Sequence, residues 1–282
     1  MTVVMKMPDA STLLAPVRIA AGAVALTGFL LTTATANAVE LMPDFADLPT
    51  GWVTDRFEPN SFSNVGTFMG RDNVLGIEID EAQGAANRPG GQQGTFYNTQ
   101  GRQYSVTGGA GDSFSAGLYL FESWADEANG TIRTDMWGAL QRDPPPTSGD
   151  TRTYPIIGFT NLDNTPRLRI WDGDVGWIDL VLTLNFGEWV DLSVVFTGSE
   201  FEYYVNGNLA HTDTTANDAS TFDVLIMQAY NFFDDSLDSS INPVNYTAFW
   251  SNTPADAPEP ATLALLGVGL VGFAFLRQRK RA

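Results

Sequence analysis

Between residues 39 and 253, apolar and polar side chains alternate with a period of two, the pattern of strands with one buried face. Residues 74–80 set Ile77 and Ile79 against Glu78 and Asp80. Residues 113–121 put Phe114, Ala116, Leu118 and Leu120 on one side, and residues 132–140 oppose Ile132, Thr134, Met136 and Gly138 to Arg133, Asp135 and Trp137. Further strands are predicted at 154–160, 167–171, 177–182, 189–196, 201–205, 208–212, 222–231 and 246–250, with an edge strand and its lead-in inside 39–60. Asn206-Gly207 fits a type I′ turn, whose two central residues both need positive φ, so 201–205 and 208–212 should form a hairpin. Residues 83–94 read as a loop, as does the run from Asp143-Pro144-Pro145-Pro146 to Asp150, because consecutive prolines suit neither a central strand nor a helix. No body window carries a capped i, i+3, i+4, i+7 apolar stripe. The predicted fold is all-β, a sandwich or jelly roll in one domain over residues 39–253.

The two ends have a different pattern. Lys6 and Arg18 precede an apolar run at 19–31, and Ala36-Asn37-Ala38 offers a small-x-small cleavage site. Residues 1–38 therefore read as a secretory signal peptide, handled by the Sec export machinery and signal peptidase and leaving Val39 as the first mature residue. Residues 254–282 hold Pro258-Glu259-Pro260, an uncharged run at 261–276, and the cations Arg277, Arg279, Lys280 and Arg281. As a helix that run spans ~24 Å, a little short of a ~30 Å hydrocarbon core, a deficit that snorkelling and local thinning cover. The basic end marks the cytoplasmic side, which puts the body outside. Gly267 to Gly272 also matches G-x-G-x-x-G, but no strand precedes it and no acid follows, so it reads as small residues in a membrane helix.

The order Pro-Glu-Pro, short apolar helix, basic end resembles the PEP-CTERM sorting signal of Gram-negative bacteria. That resemblance implies export, transient membrane anchoring, removal of the tail by an exosortase, and delivery to the cell surface or extracellular matrix.

Composition narrows the function classes. The chain carries a formal net charge of −18, with 15 basic and 33 acidic residues. Six of the basic residues but only Asp9 among the acids lie outside residues 39–260, which therefore hold nine arginines and 32 acids, net −23, and no lysine. Such a surface repels phosphate, which excludes nucleic acid as a partner. The chain has no cysteine, so disulfides, thiolate metal sites and a cysteine nucleophile are ruled out.

A second resemblance rests on Trp189, the alternation through Phe196, and Phe201-Glu202-Tyr203-Tyr204-Val205-Asn206-Gly207. These look like the W…Y-V-N-G hairpin of concanavalin A-like and laminin G-like jelly rolls, a fold that serves many functions.

Candidate chemistry is sparse. His211, the single histidine, lacks a G-x-S-x-G partner and reads as a surface or loop residue. Glu78 and Asp80 share a strand face, as in a hydrolase family with E-x-D-x-E on this kind of sandwich. The third acid is missing, since position 82 is Ala82 and Glu81 points the other way. Asp172 with Asp174, and Asp234, Asp235 and Asp238, offer hard oxygen ligands for calcium, a common ion in laminin G-like domains. Arg133, Asp135 and Trp137 share one strand face, and Arg167, Arg169 and Trp171 another. On a common sheet face, tryptophan would stack on sugar rings while arginine forks to hydroxyls or carboxylates; alternatively the tryptophans are core. The leading expectation is a non-catalytic protein that binds extracellular polysaccharide. The alternatives are a structural matrix protein without ligand and a glycoside hydrolase or lyase.

Overall fold

The computed structural model describes residues 38–233 and 241–252. The signal peptide up to Asn37, the sorting tail with Pro258, Glu259, Pro260, Arg277, Arg279, Lys280 and Arg281, and the acids Asp234, Asp235 and Asp238 lie outside the described residues.

Fifteen strands occur in the described chain: β1 (Trp52–Thr54), β2 (Ser61–Asn64), β3 (Leu75–Ile79), β4 (Thr99–Gly108), β5 (Ser113–Leu120), β6 (Arg133–Arg142), β7 (Arg152–Thr153), β8 (Ile156–Thr160), β9 (Arg167–Asp172), β10 (Gly176–Asp179), β11 (Glu188–Phe196), β12 (Phe201–Val205), β13 (Asn208–Asp213), β14 (Ala219–Tyr230) and β15 (Tyr246–Ser251). They form two antiparallel sheets. One runs β1-β4-β14-β6-β8-β9-β10 with β7 beside β6, and the other runs β13-β12-β11-β5-β15-β3-β2. The all-β sandwich expected from the alternation is the fold.

The alternation also fixes what lies between the sheets. Phe114, Ala116 and Leu118 of β5, Leu192 and Val194 of β11, and Tyr203 of β12 are fully buried on one side, facing Met136, Ile157, Phe159, Leu168, Ile170 and Leu225 on the other. Polar contacts cross this core at three places. Trp250 Nε1 donates to Thr134 Oγ1 at 3.0 Å. The Tyr246 hydroxyl lies 2.7 Å from the carbonyls of both Arg133 and Tyr230. Tyr203 donates its hydroxyl to Trp171 O at 2.8 Å. Buried hydroxyl and indole groups need such partners, and here they pin the backbones of β6, β14 and β9 to the opposite sheet.

Four elements depart from the sequence reading. β2 and β4 carry no clean apolar alternation and were not anticipated, and neither was the two-residue β7 beside β6. In β4 the residues facing away from the core are Gly101 and Gln103, and the core side includes Tyr104 and Val106 only partly buried. β10 ends at Asp179 rather than 182: Leu180 N turns back to Leu168 O (2.9 Å) and Leu182 N to Leu180 O (3.0 Å), leaving Val181 fully exposed. The hairpin is as expected, with φ of 49° at Asn206 and 72° at Gly207.

Candidate functional site

The antiparallel registers of the eight-stranded sheet align side chains in rows on the face turned away from the core. One row runs Gly101, Gln228, Asp135, Gly158, Arg169 and Asp179, a residue from each of β4, β14, β6, β8, β9 and β10. The adjacent row runs Gln103, Ile226, Trp137, Ile156, Trp171 and Trp177. The structure thus brings together Arg133, Asp135, Trp137, Arg169 and Trp171, five of the six residues that two separate strand faces suggested. Gly158 leaves room for the polar row, because a Cβ there would stand 2.4 Å from Asp135 Oδ1.

The rows differ in exposure. Trp137, Ala139, Ile156, Val224 and Ile226 form a second apolar cluster on this outer face, with Trp171 half-buried against it. Arg56 and Phe96 roof it: the Arg56 guanidinium lies 4.6 Å from the Trp137 ring centre and 4.3 Å from that of Phe96. Trp137 is left only 8 % exposed, whereas Trp177 is 36 % exposed. Trp177 packs edge-on against Trp171 at 5.3 Å and lies under two cations, Arg169 at 3.9 Å and Arg133 at 5.0 Å. A depression of about 320 Å³ opens on this face, lined by Phe96, Thr99, Arg133, Trp137 and Tyr230.

Among the described residues, the polar row is only partly paired. Arg133 Nε pairs with Asp135 Oδ2 at 2.8 Å, and Arg167 Nε with Asp179 Oδ1 at 2.8 Å. Arg167 also donates to the carbonyls of Leu162 and Thr165, so its fork is spent on the local loop. Arg169 is different. It is 7 % exposed, yet among the described residues neither Nε nor Nη2 has a hydrogen-bond partner. Burial, followed by the neighbouring positive charge of Arg133, pushes its guanidinium down to about 10, still charged at neutral pH. Asp135 Oδ1, Trp137 Nε1 and Gln228 Nε2 are likewise buried without partners among the described residues. Each unmet group of this kind costs about 1–3 kcal/mol, more when charged.

The other candidate residues lie elsewhere. Glu78 sits on β3 in the seven-stranded sheet, paired with Ser61 and Thr247 and facing away from the core, remote in topology from the polar row. Asp172 and Asp174 lie at the β9–β10 turn and are joined by Asp213 of β13, which sequence reading missed; one carboxylate oxygen from each lies within 4.8 Å of the others. Asp172 Oδ1 accepts from Asp174 N and Val175 N, its Oδ2 meets His211 Nε2 at 3.2 Å, and Asp213 accepts from Gly173 N and Thr215 N. These oxygens already close the turn against β13, which places His211 in a structural contact. Burial alone would raise the Asp172 carboxyl, but the two backbone N–H groups and His211 outweigh it and hold it below its ordinary value. Burial pushes Asp213 up, with Asp172 and Asp174 adding to the rise.

Trp177, Arg56, Phe96 and Gln228 are the members of the outer face that sequence reading missed. A signal existed for Trp177, since the predicted strand at 177–182 put it on a face with its alternate residues. Arg56 comes from a loop and Phe96 from the 3-10 helix Thr95–Asn98, where no strand period exists to read.

Comparisons with known proteins bear on the C-terminal tail and on the sandwich unequally. The PEP-CTERM protein-sorting motif matches residues 256–280. The chain therefore carries an exosortase sorting signal and is an exported protein. No curated protein sequence matches the chain. Solved structures similar to it include a sialidase (10 % identity, 78 % of this chain, 19 % of that chain, TM-score 0.44). A Bacillus licheniformis β-glucanase shares 12 % identity over 75 % of this chain and 94 % of its own, with a TM-score of 0.42. An endo-β-1,4-glucuronan lyase from the fungus Trichoderma reesei shares 16 % over 74 % and 94 %, with a TM-score of 0.41. The chain spans under a fifth of the sialidase's length, the 19 % above. At these values the likenesses bear on neither activity nor substrate.

Proposed function

We propose that residues 39–253 are a non-catalytic polysaccharide-binding body. On this reading, residues 1–38 direct its export, and residues 254–282 hold it in the membrane until an exosortase acts. The sugar-reading face is the outer face of the eight-stranded sheet around Trp177, Arg133 and Arg169. The observation that carries this reading is Arg169: a buried guanidinium with two unmet donors, stacked on the exposed tryptophan. Sugar recognition joins those two features, an aromatic plane for the ring and planar donors for hydroxyls or carboxylates. A uronate or other acidic sugar fits best, because an anion at Arg169 offsets the cost of its burial.

The same row argues against glycoside hydrolysis. Both of its carboxylates, Asp135 and Asp179, are held by arginines. A hydrolase needs one carboxyl free to give a proton and a second to attack or activate water. The test is a glycan array followed by titration with an acidic and a neutral polysaccharide, with reducing ends measured alongside. Saturable, salt-sensitive binding of the acidic polymer without new reducing ends is expected. Release of reducing ends would establish a glycoside hydrolase or lyase instead, and no binding to any glycan would leave a structural matrix protein.

A further inference from the structure

The residues that follow the small-x-small site are built into the sandwich. Ser113 N donates to Val39 O at 3.0 Å and Leu41 N to Ser113 O at 2.8 Å, so this segment runs parallel beside the start of β5. Glu40 locks it further: its carboxylate accepts from Ser115 N (2.9 Å), Ser115 Oγ (2.9 Å) and Met42 N (3.0 Å). One bond falls on the atom that processing changes. Val39 N donates to Asp112 Oδ1 at 2.9 Å, while Asp112 Oδ2 accepts from Gly109 N at 2.7 Å.

We propose that cleavage between Ala38 and Val39 turns this amide contact into an ion pair, making Asp112 the receptor of the mature N-terminus. Water adds across the Ala38–Val39 amide: its oxygen stays on the Ala38 carbonyl carbon as a carboxylate, and Val39 nitrogen leaves with the protons as an ammonium. The atom bonded to Asp112 thereby gains a full positive charge and two further N–H donors. An α-amino group titrates near 8, so it is charged at neutral pH, and charge-assisted bonds are about twice as strong as neutral ones. Among the described residues that bond to residues 39–42, the ionisable side chains are Asp112 and Glu40, both acidic and both favouring an ammonium. Val39 is 50 % exposed, so water and salt weaken the pair without abolishing it. The bond joins the new terminus to the β4–β5 turn and favours the processed chain over the unprocessed one.

The chain's own composition supplies a clean probe. Its only lysines are Lys6 and Lys280, one in each end segment, so within residues 39–260 the α-amine is the only primary amine. The full-length precursor is exported from a secreting host, sequenced from its N-terminus, and treated with acetic anhydride, with acetylation located by peptide mass. Val39 is the expected first residue. In the parent, the amine should titrate above the ordinary value of about 8, and its acetylation should lower the melting temperature by ~2 °C. In Asp112→Asn, acetylation should be several-fold faster at neutral pH and leave melting unchanged. A different first residue, an amine titrating at or below about 8, or the same melting shift in Asp112→Asn as in the parent would each overturn the proposal. Should Asp112→Asn not fold, the titration of the parent's amine decides alone.

Discussion

The guanidinium of Arg169 lies 3.9 Å above the ring centre of Trp177, one on β9 and the other on β10. Cation–π contacts of this kind are worth about 0.5–2 kcal/mol, more when desolvated. Trp177→Ala should therefore cost little stability and weaken polysaccharide binding at least tenfold. Thermal melting beside glycan titration checks it; binding at parental strength would remove this face from recognition.

Trp137 should behave in the opposite way. It anchors the outer apolar cluster beneath Arg56, and large-to-small changes at buried aromatics cost about 3–5 kcal/mol. Denaturant unfolding of Trp137→Ala is expected to move its midpoint strongly. A midpoint near that of the parent would mean the cluster is open enough for Trp137 itself to meet ligand.

The hairpin from β12 to β13 turns on Gly207, whose φ of 72° suits residues without a Cβ. No atom stands within 4 Å of a Cβ built there, so the penalty of Gly207→Val is one of backbone conformation rather than collision. It should cost about 1–3 kcal/mol, read as a shift in the unfolding midpoint, and Gly207→Asn much less.

The β9–β10 turn predicts its own response to acid. Asp172 is held below its ordinary carboxyl value, so it adds stability above the unfolded-state value of about 3.9 and loses that contribution as pH falls through its lowered one. Asp213 is raised, so its charge costs stability at neutral pH, and that cost disappears as pH falls through its raised value. Asp172→Asn should thus destabilise at pH 7 by about 0.5–1.5 kcal/mol, with the gap to the parent closing as pH falls below about 3.9. Melting curves across that range are the measurement; a gap independent of pH would assign the effect to geometry alone.

The sorting motif at 256–280 implies that mature protein from the native host lacks the tail. Intact mass should fit a chain ending near Pro258-Glu259-Pro260. Replacing Arg277, Arg279, Lys280 and Arg281 with Gln should impair membrane retention before processing. A mature mass that includes residues 261–282 would indicate a permanent anchor.

The sequence by itself determined what depends on short range. Strand faces follow from the two-residue period of the extended backbone, which is why Phe114, Ala116, Leu118 and Leu120 could be assigned to the core before any partner was known, and why Arg133, Asp135 and Trp137 could be put on one side of β6. Asn206-Gly207 fixed its turn through φ alone, and the sorting tail was legible because lipid, charge and proline act on contiguous residues.

Neighbourhood was a different matter. Nothing local says that β8 lies between β6 and β9, yet that order is what aligns Asp135, Gly158 and Arg169 in one row. β4 escaped notice because its outward residues include Gly101 and Gln103 and its core-side Tyr104 and Val106 are only partly buried, so no clean apolar alternation marks it. The division of labour between Trp137 and Trp177 was equally invisible, since both occupy the same row, but Trp137 lies on the inner strand β6 beneath Arg56 and Trp177 on the end strand β10. Face is a property of one strand's covalent geometry, whereas burial and adjacency depend on which other strands pair beside it, and only the tertiary structure decides that.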